Sequence, residues 1–247
     1  MQKITIFGAG RVGETSAMML AQKGLCHEIS LFDLRANAAA GAALDIMQSA
    51  SYFGFDTQVN GGADSELIRD SELVIITAGS PRKPGMSRSD VLDVNRAVID
   101  TIVDQVLELA PDALLMLVTN PVDVLTWHAW KRTGWTRNRV FGLGGVLDAA
   151  RMAYYIGQET GHSSRDIQTM VIGGHGDSML PLFRFSSIHG INGEIVLDSE
   201  ARLEANAAQV YQSAVVTRIM PLANLSGMTE EEREVLARWY AGLEQPK

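Results

Sequence analysis

Short apolar runs and longer stretches with apolar positions every three to four residues alternate along the first two thirds of the chain. Ile4 to Phe7 is the first run; a helical stretch then carries Ala17, Met18, Leu20 and Ala21 on one side and stops at Gly24. A second run, Glu28 to Phe32, leads into an alanine-rich helix from Ala36 to Ser49 and a short strand around Thr57 to Asn60. Two further apolar runs, Leu73 to Thr77 and Leu114 to Val118, are separated by a helix from about Asp90, and Pro121 opens another helix. A helix begins with Gly145 to Arg151, and Thr169 to Ile172 reads as a strand. Such alternation predicts an α/β fold: a Rossmann-type doubly wound parallel sheet over 1–143, then a shortened α+β domain over 144–247 that is atypical after about 190. Near the end, Thr229 and Glu232 form a capping box ahead of an apolar stripe, Val235, Leu236, Trp239 and Leu243.

The turns between these elements carry the chemistry. Gly8, Gly10 and Gly13 join the first strand to the first helix, whose free amide N–H groups and dipole suit a pyrophosphate. Asp33 ends the second strand about 20 residues on, where an acid accepts hydrogen bonds from an adenosine ribose and repels a 2′-phosphate. This favours NAD over NADP, and nearby Arg35 weakens the preference slightly. Thr77, Gly79 and Asn120 fall at strand carboxyl ends, where such sheets collect ligands. The stretch SPRKPGMSR holds Arg82, Lys83 and Arg88. It is either a solvated basic loop or a lid bringing guanidiniums onto an anionic substrate. In MVIGGHGDSM, His175 sits on a glycine turn after a strand and is a candidate proton carrier near neutral pH. Asp148 and Arg151 project from one helix face; they form either an ordinary salt bridge or an orienting carboxylate for His175 with a pocket guanidinium beside it.

Composition narrows the field. Apolar residues make up 46% of the 247, charged residues 20% and aromatics 6%, which excludes disordered and collagen-like chains. A formal net charge of −8 with scattered Lys and Arg argues against a nucleic-acid partner. Met1 runs almost directly into KITIF and the longest apolar run is Ala113 to Val118, so neither a leader peptide nor a membrane span is expected. The single cysteine, Cys26, fits a reducing, cytoplasmic setting and reads as a core residue. No metal site is expected, because His175 and Asp177 have no further ligand cluster. His27, His128, His162 and His189 lack motif context, and Trp127, Trp130 and Trp135 read as packing.

GAGRVG, Asp33, TAGSPRKPGMSR, VTNPVD, GVLDAAR and IGGHGDSM, in this order, resemble the lactate/malate dehydrogenase family, most of all its bacterial, lactate-dehydrogenase-like malate dehydrogenases. The resemblance covers about Met1 to Gly190. It implies an NAD-dependent malate dehydrogenase acting on malate and oxaloacetate, with an NAD-binding first domain, a substrate domain, and a homo-oligomer, dimer or tetramer. It further implies cofactor contacts from Gly8, Gly10, Gly13, Asp33, Thr77, Gly79, Asn95, Val118 and Asn120. Asn120 also contacts substrate, Arg151 grips the C1 carboxylate, Arg88 polarises the carbonyl, and His175 is the acid/base oriented by Asp148. Arg82 falls where the family selects its substrate and suits a second carboxylate, since facing the methyl of pyruvate it would be buried without a partner. A second reading stays open: a protein that holds the dinucleotide without completing a substrate pocket. VVTRIMPLANLSGMTEEEREVLARWY is similar to the methionine-ligand end of a small c-type cytochrome, with Met220 at the ligand position, but the chain has no C-x-x-C-H and no haem is expected.

Overall fold

Runs of β-branched and leucine residues become strands where both faces can be covered, and the first unit, Met1–Phe141, is built on six of them. A computed structural model describes residues 1–81, 88–175 and 179–192, and the side chains of residues 88 and 89 lie outside that description. Arg82, Asp177, Met220 and the stretch 229–243 also lie outside the described residues.

In chain order come β1 (Lys3–Phe7), α1 (Arg11–Gln22), β2 (Glu28–Phe32), α2 (Ala36–Gln48), α3 (Ala50–Phe53), β3 (Gln58–Gly62), β4 (Leu73–Ile76), α4 (Arg88–Leu109), β5 (Leu114–Leu117), α5 (Val122–Thr133) and β6 (Val140–Gly142), whose last residue opens the second unit. The strand order is β3-β2-β1-β4-β5-β6. β1 pairs in parallel with both β2 and β4, so the two halves of the sheet diverge at the β1/β4 boundary. In doubly wound sheets ligands bind outside that switch point. The alanine-rich helix is shorter than its sequence suggests: it ends at Gln48, and α3 makes a separate turn closed by Gly54 in the left-handed region.

Successive strand residues point to opposite faces, and the apolar residues divide accordingly. Phe7, Val74, Ile76, Leu115 and Leu117 pack on one side with Ile99 and Val103 of α4 and Leu125 and Ala129 of α5. Ile4, Ile6, Ile29, Leu31 and Ile75 pack on the other with Ala17 and Ala21 of α1 and Ala43 and Ile46 of α2. Each fully buried Leu or Ile contributes roughly 1.5–3 kcal/mol. Cys26 belongs to the second cluster; burial pushes its thiol pKa up.

A second unit begins at Gly142. It contains α6 (Val146–Thr160), β7 (Ile167–Gln168), β8 (Val171–Ile172), β9 (Leu180–Pro181), β10 (Ser187–Ile188) and β11 (Ile191–Asn192). β7, β10 and β11 form an antiparallel sheet, and β8 pairs antiparallel with β9. Met152, Ala153 and Ile156 of α6 pack on Ile167, Val171, Met179 and Ile188. Among the described residues no helix is long and apolar enough to cross a membrane.

Candidate functional site

In the first unit the motif residues gather at the carboxyl edge of the sheet. Gly8 follows β1 with φ +101, a conformation that L side chains rarely adopt. Any Cβ on Gly13 would collide with the carbonyl oxygen of Gly8, so α1 rests directly on the turn. Gly10 differs: a Cβ there would meet nothing within 4 Å. It is the N-cap of α1 and, having no side chain, offers the amides of the first helical turn no capping hydrogen bond. Small size is needed at Gly8 and Gly13 by the protein itself, whereas at Gly10 it keeps free the approach to a helix N-terminus. That pattern is a cradle for a dinucleotide pyrophosphate.

Asp33, just past β2, is mostly buried and already engaged. Its Oδ2 accepts the Ala9 N–H at 2.9 Å, while Oδ1 accepts the Arg35 N–H at 2.9 Å and Arg35 Nε at 3.2 Å. Burial alone would raise its pKa, but these donors together hold the carboxyl below its ordinary range. Asp33 is therefore an anion that also pins the glycine turn to the neighbouring strand. No residue pattern signals this second role, because it depends on a backbone amide across the sheet.

Thr77 follows β4 and donates through Oγ1 to the carbonyls of Phe7 and Gly8 at 2.9 and 3.1 Å. Gly79 and Asn120 are exposed at the same edge, and Val118 is half-buried beside the core. Asn95 is 2% exposed, and its amide is bonded to the backbone of Ser80 and Asn120. Thr119, not singled out from the sequence, is 7% exposed and donates to the Ala78 carbonyl at 2.6 Å. Arg88 begins α4, and its side chain, like all of Arg82, is outside the described residues.

In the second unit Asp148, Arg151 and His175 come together. Asp148 occupies the first turn of α6, where the helix dipole favours a negative charge, and it is fully buried. Its stripe, Asp148, Met152 and Ile156 at i, i+4, i+8, is the apolar face of the helix. Arg151 Nη1 donates to Asp148 Oδ1 at 3.1 Å, and Asp148 Oδ2 stands 4.0 Å from His175 Nδ1. His175 follows β8 through Gly173, whose φ of +94 turns the chain, and its side chain is 8% exposed. Desolvation first and the charge of Arg151 second lower its pKa from 6.5 to about 4. At neutral pH the ring is an uncharged base.

Residues 2–142 match the family described as lactate/malate dehydrogenase, NAD binding domain, and residues 145–219 match its alpha/beta C-terminal domain. The second match reaches past Gly190, where the recognisable motifs end. The malate dehydrogenase of Thioalkalivibrio sulfidiphilus is 59% identical over 201 residues, which are 81% of this chain and 66% of that protein. The chain thus spans slightly under two thirds of that relative's length. The malate dehydrogenase of Salinibacter ruber superposes with a TM-score of 0.80 at 36% identity, covering 86% of this chain and 67% of that one. The lactate dehydrogenase of Cryptosporidium parvum, solved with lactic acid and nicotinamide adenine dinucleotide, superposes equally well, with a TM-score of 0.80 at 32% identity, covering 86% and 68%.

Proposed function

The chain belongs to the lactate/malate dehydrogenase family, and from that membership we propose that it is an NAD-dependent malate dehydrogenase, interconverting malate and oxaloacetate. The observation that carries the reading is the buried Asp148 carboxylate, which holds a guanidinium on one oxygen and has an uncharged imidazole near the other. Relatives named malate dehydrogenase favour a dicarboxylate over lactate.

The cradle of Gly8, Gly10 and Gly13 fits a pyrophosphate, and a ribose hydroxyl would reach Asp33 Oδ2 by displacing the long 3.5 Å contact from Arg35 Nη2, leaving the 2.9 Å bond from the Ala9 N–H in place. Thr77, Gly79, Val118 and Asn120 complete the proposed cofactor contacts. When bound, NAD supplies the acceptor and donor of hydride. The protein supplies the proton chemistry. With Nδ1 turned to Asp148, His175 takes the malate hydroxyl proton on Nε2; in the reverse direction the imidazolium returns it to the alkoxide oxygen formed from oxaloacetate. Asp148 offsets the charge that appears on the ring. Arg151 uses one N–H on Asp148 and keeps others for the C1 carboxylate. That carboxylate also offsets the positive charge that depresses His175, so substrate binding raises the pKa of the base as it becomes needed. Arg88 polarises the reacting carbonyl, and Arg82 pairs with the second carboxylate. Self-association into a homo-oligomer and a cytoplasmic location belong to the same reading.

Steady-state NADH oxidation with oxaloacetate and with pyruvate, alongside an NADH fluorescence titration, tests the proposal. Turnover with oxaloacetate is expected, and Arg82→Gln should shift preference toward pyruvate. NADH binding with no turnover of either acid would instead favour a dinucleotide-holding protein without dehydrogenase activity.

A further inference from the structure

Asparagine inside a helix is a poor helix former, because its amide competes for backbone groups, so a buried one calls for a partner account. Asn95 lies in the second turn of α4 and is 2% exposed. Its Oδ1 accepts the Ser80 N–H at 2.7 Å. Its Nδ2 donates to the Asn120 carbonyl at 2.7 Å and to the Ser80 carbonyl at 3.3 Å. Both amide hydrogens are therefore committed to the backbone. Ser80 lies on the exit from β4 and Asn120 on the exit from β5, and these strands are neighbours in the sheet. One carboxamide on a helix ties the two exits together. The surroundings are shaped to it: Thr119 Oγ1 adds a second tie to the Ala78 carbonyl at 2.6 Å. A Cβ on Gly79 would lie 2.5 Å from Thr119 Cγ2 and 3.1 Å from Asn95 Oδ1, so only glycine lets the β4 exit lie flat against this pair.

We propose that Asn95 is a positioning residue rather than a cofactor contact: it sets the backbone of Asn120 and ties it to Ser80 at the exit from β4. This rests on the dehydrogenase reading, in which Asn120 serves the nicotinamide and substrate. Small errors of placement are costly in such sites, since a shift of about 1 Å can remove on the order of a hundredfold in rate.

The test uses the whole chain with Asn95→Ala and Asn95→Asp. Hydrogen exchange at the Ser80 amide should quicken about tenfold or more in Asn95→Ala, because its acceptor is gone; Asn95→Ser provides the same measurement should the alanine variant not fold. The Kd for NADH should stay within about threefold in Asn95→Asp, while kcat with oxaloacetate falls by about tenfold or more. The ratio of variant to wild-type kcat should then recover as pH falls, because the introduced carboxyl, once protonated, can again donate to the Asn120 carbonyl whereas its carboxylate cannot; taking the ratio cancels the titration of His175. An unchanged Ser80 exchange rate overturns the inference. So does about a tenfold weaker NADH affinity with kcat intact, the mark of a direct cofactor ligand. If the wild type turns over no oxaloacetate, the dehydrogenase reading alone fails, and Ser80 exchange still decides the role of Asn95.

Discussion

A methyl group added at Gly10 and one added at Gly13 have opposite consequences. At Gly13 it would strike the Gly8 carbonyl, so Gly13→Ala should lower stability by roughly 1–3 kcal/mol, as overpacking does, seen in urea unfolding. At Gly10 it meets open space, so Gly10→Ala should leave stability within about 0.5 kcal/mol while NADH affinity falls severalfold or more in a fluorescence titration. His175 makes a pH prediction. Its folded pKa of about 4 lies below the ordinary 6.5, so between those values the unfolded chain takes up a proton that the folded chain refuses. Its penalty is absent above pH 6.5 and grows as pH falls toward 4, to about 3 kcal/mol in all. His175→Gln should flatten that part of the stability curve in unfolding experiments run from neutral to mildly acid pH. A variant whose acid slope matches the wild type would remove the buried, neutral imidazole from the account.

At the scale of elements, α4 and α5 are joined by an ion network as well as by their apolar faces. Asp100 Oδ1 meets His128 Nε2 at 2.7 Å and Arg132 Nη1 at 3.1 Å, and Arg132 also forks onto Asp104 with bonds of 2.9 and 2.7 Å. Arg132 and Asp104 are exposed whereas Asp100 and His128 are half-buried, so salt screens the Arg132 pairs most. Arg132→Met should lower the thermal midpoint at low ionic strength, and the gap to wild type should narrow in about 1 M NaCl; a gap that ignores salt would mean the loss is one of packing. The elements themselves are legible wherever one physical signal dominates. The run Glu28 to Phe32 is β2 residue for residue, because its β-branched and aromatic side chains divide between two covered faces. Asp148 is legible as a helix residue paired with Arg151, but the i, i+3 spacing fits an exposed bridge equally well. Its burial shows in the i, i+4 stripe it shares with Met152 and Ile156, where an acid at an apolar position is the stronger sign. The small strands β7, β9, β10 and β11 have two residues each, too few for any periodicity to announce them. The roles of Asn95 and Thr119 are beyond reach for another reason: their partners are backbone groups of loops far away in sequence.

For the whole molecule, the division at Phe141/Gly142 separates two kinds of work. The first unit carries the glycine turn and Asp33, and the second carries the imidazole with its carboxylate and guanidinium. The chain has one sulfur nucleophile to report on this arrangement, since Cys26 is its only cysteine and is 6% exposed. Ile29, Phe55 and Val59 belong to the cluster that encloses it, and Thr57 Oγ1 hydrogen-bonds its carbonyl at 2.8 Å. An alkylating dye should therefore mark only molecules whose first unit has come open, which turns Cys26 into a clock for that opening. Saturating NADH should slow the clock, by about a hundredfold when free NADH stands about a hundredfold above its Kd. Dye uptake indifferent to NADH would mean that the sulfhydryl is reached by a local breathing motion that leaves the cradle of α1 intact.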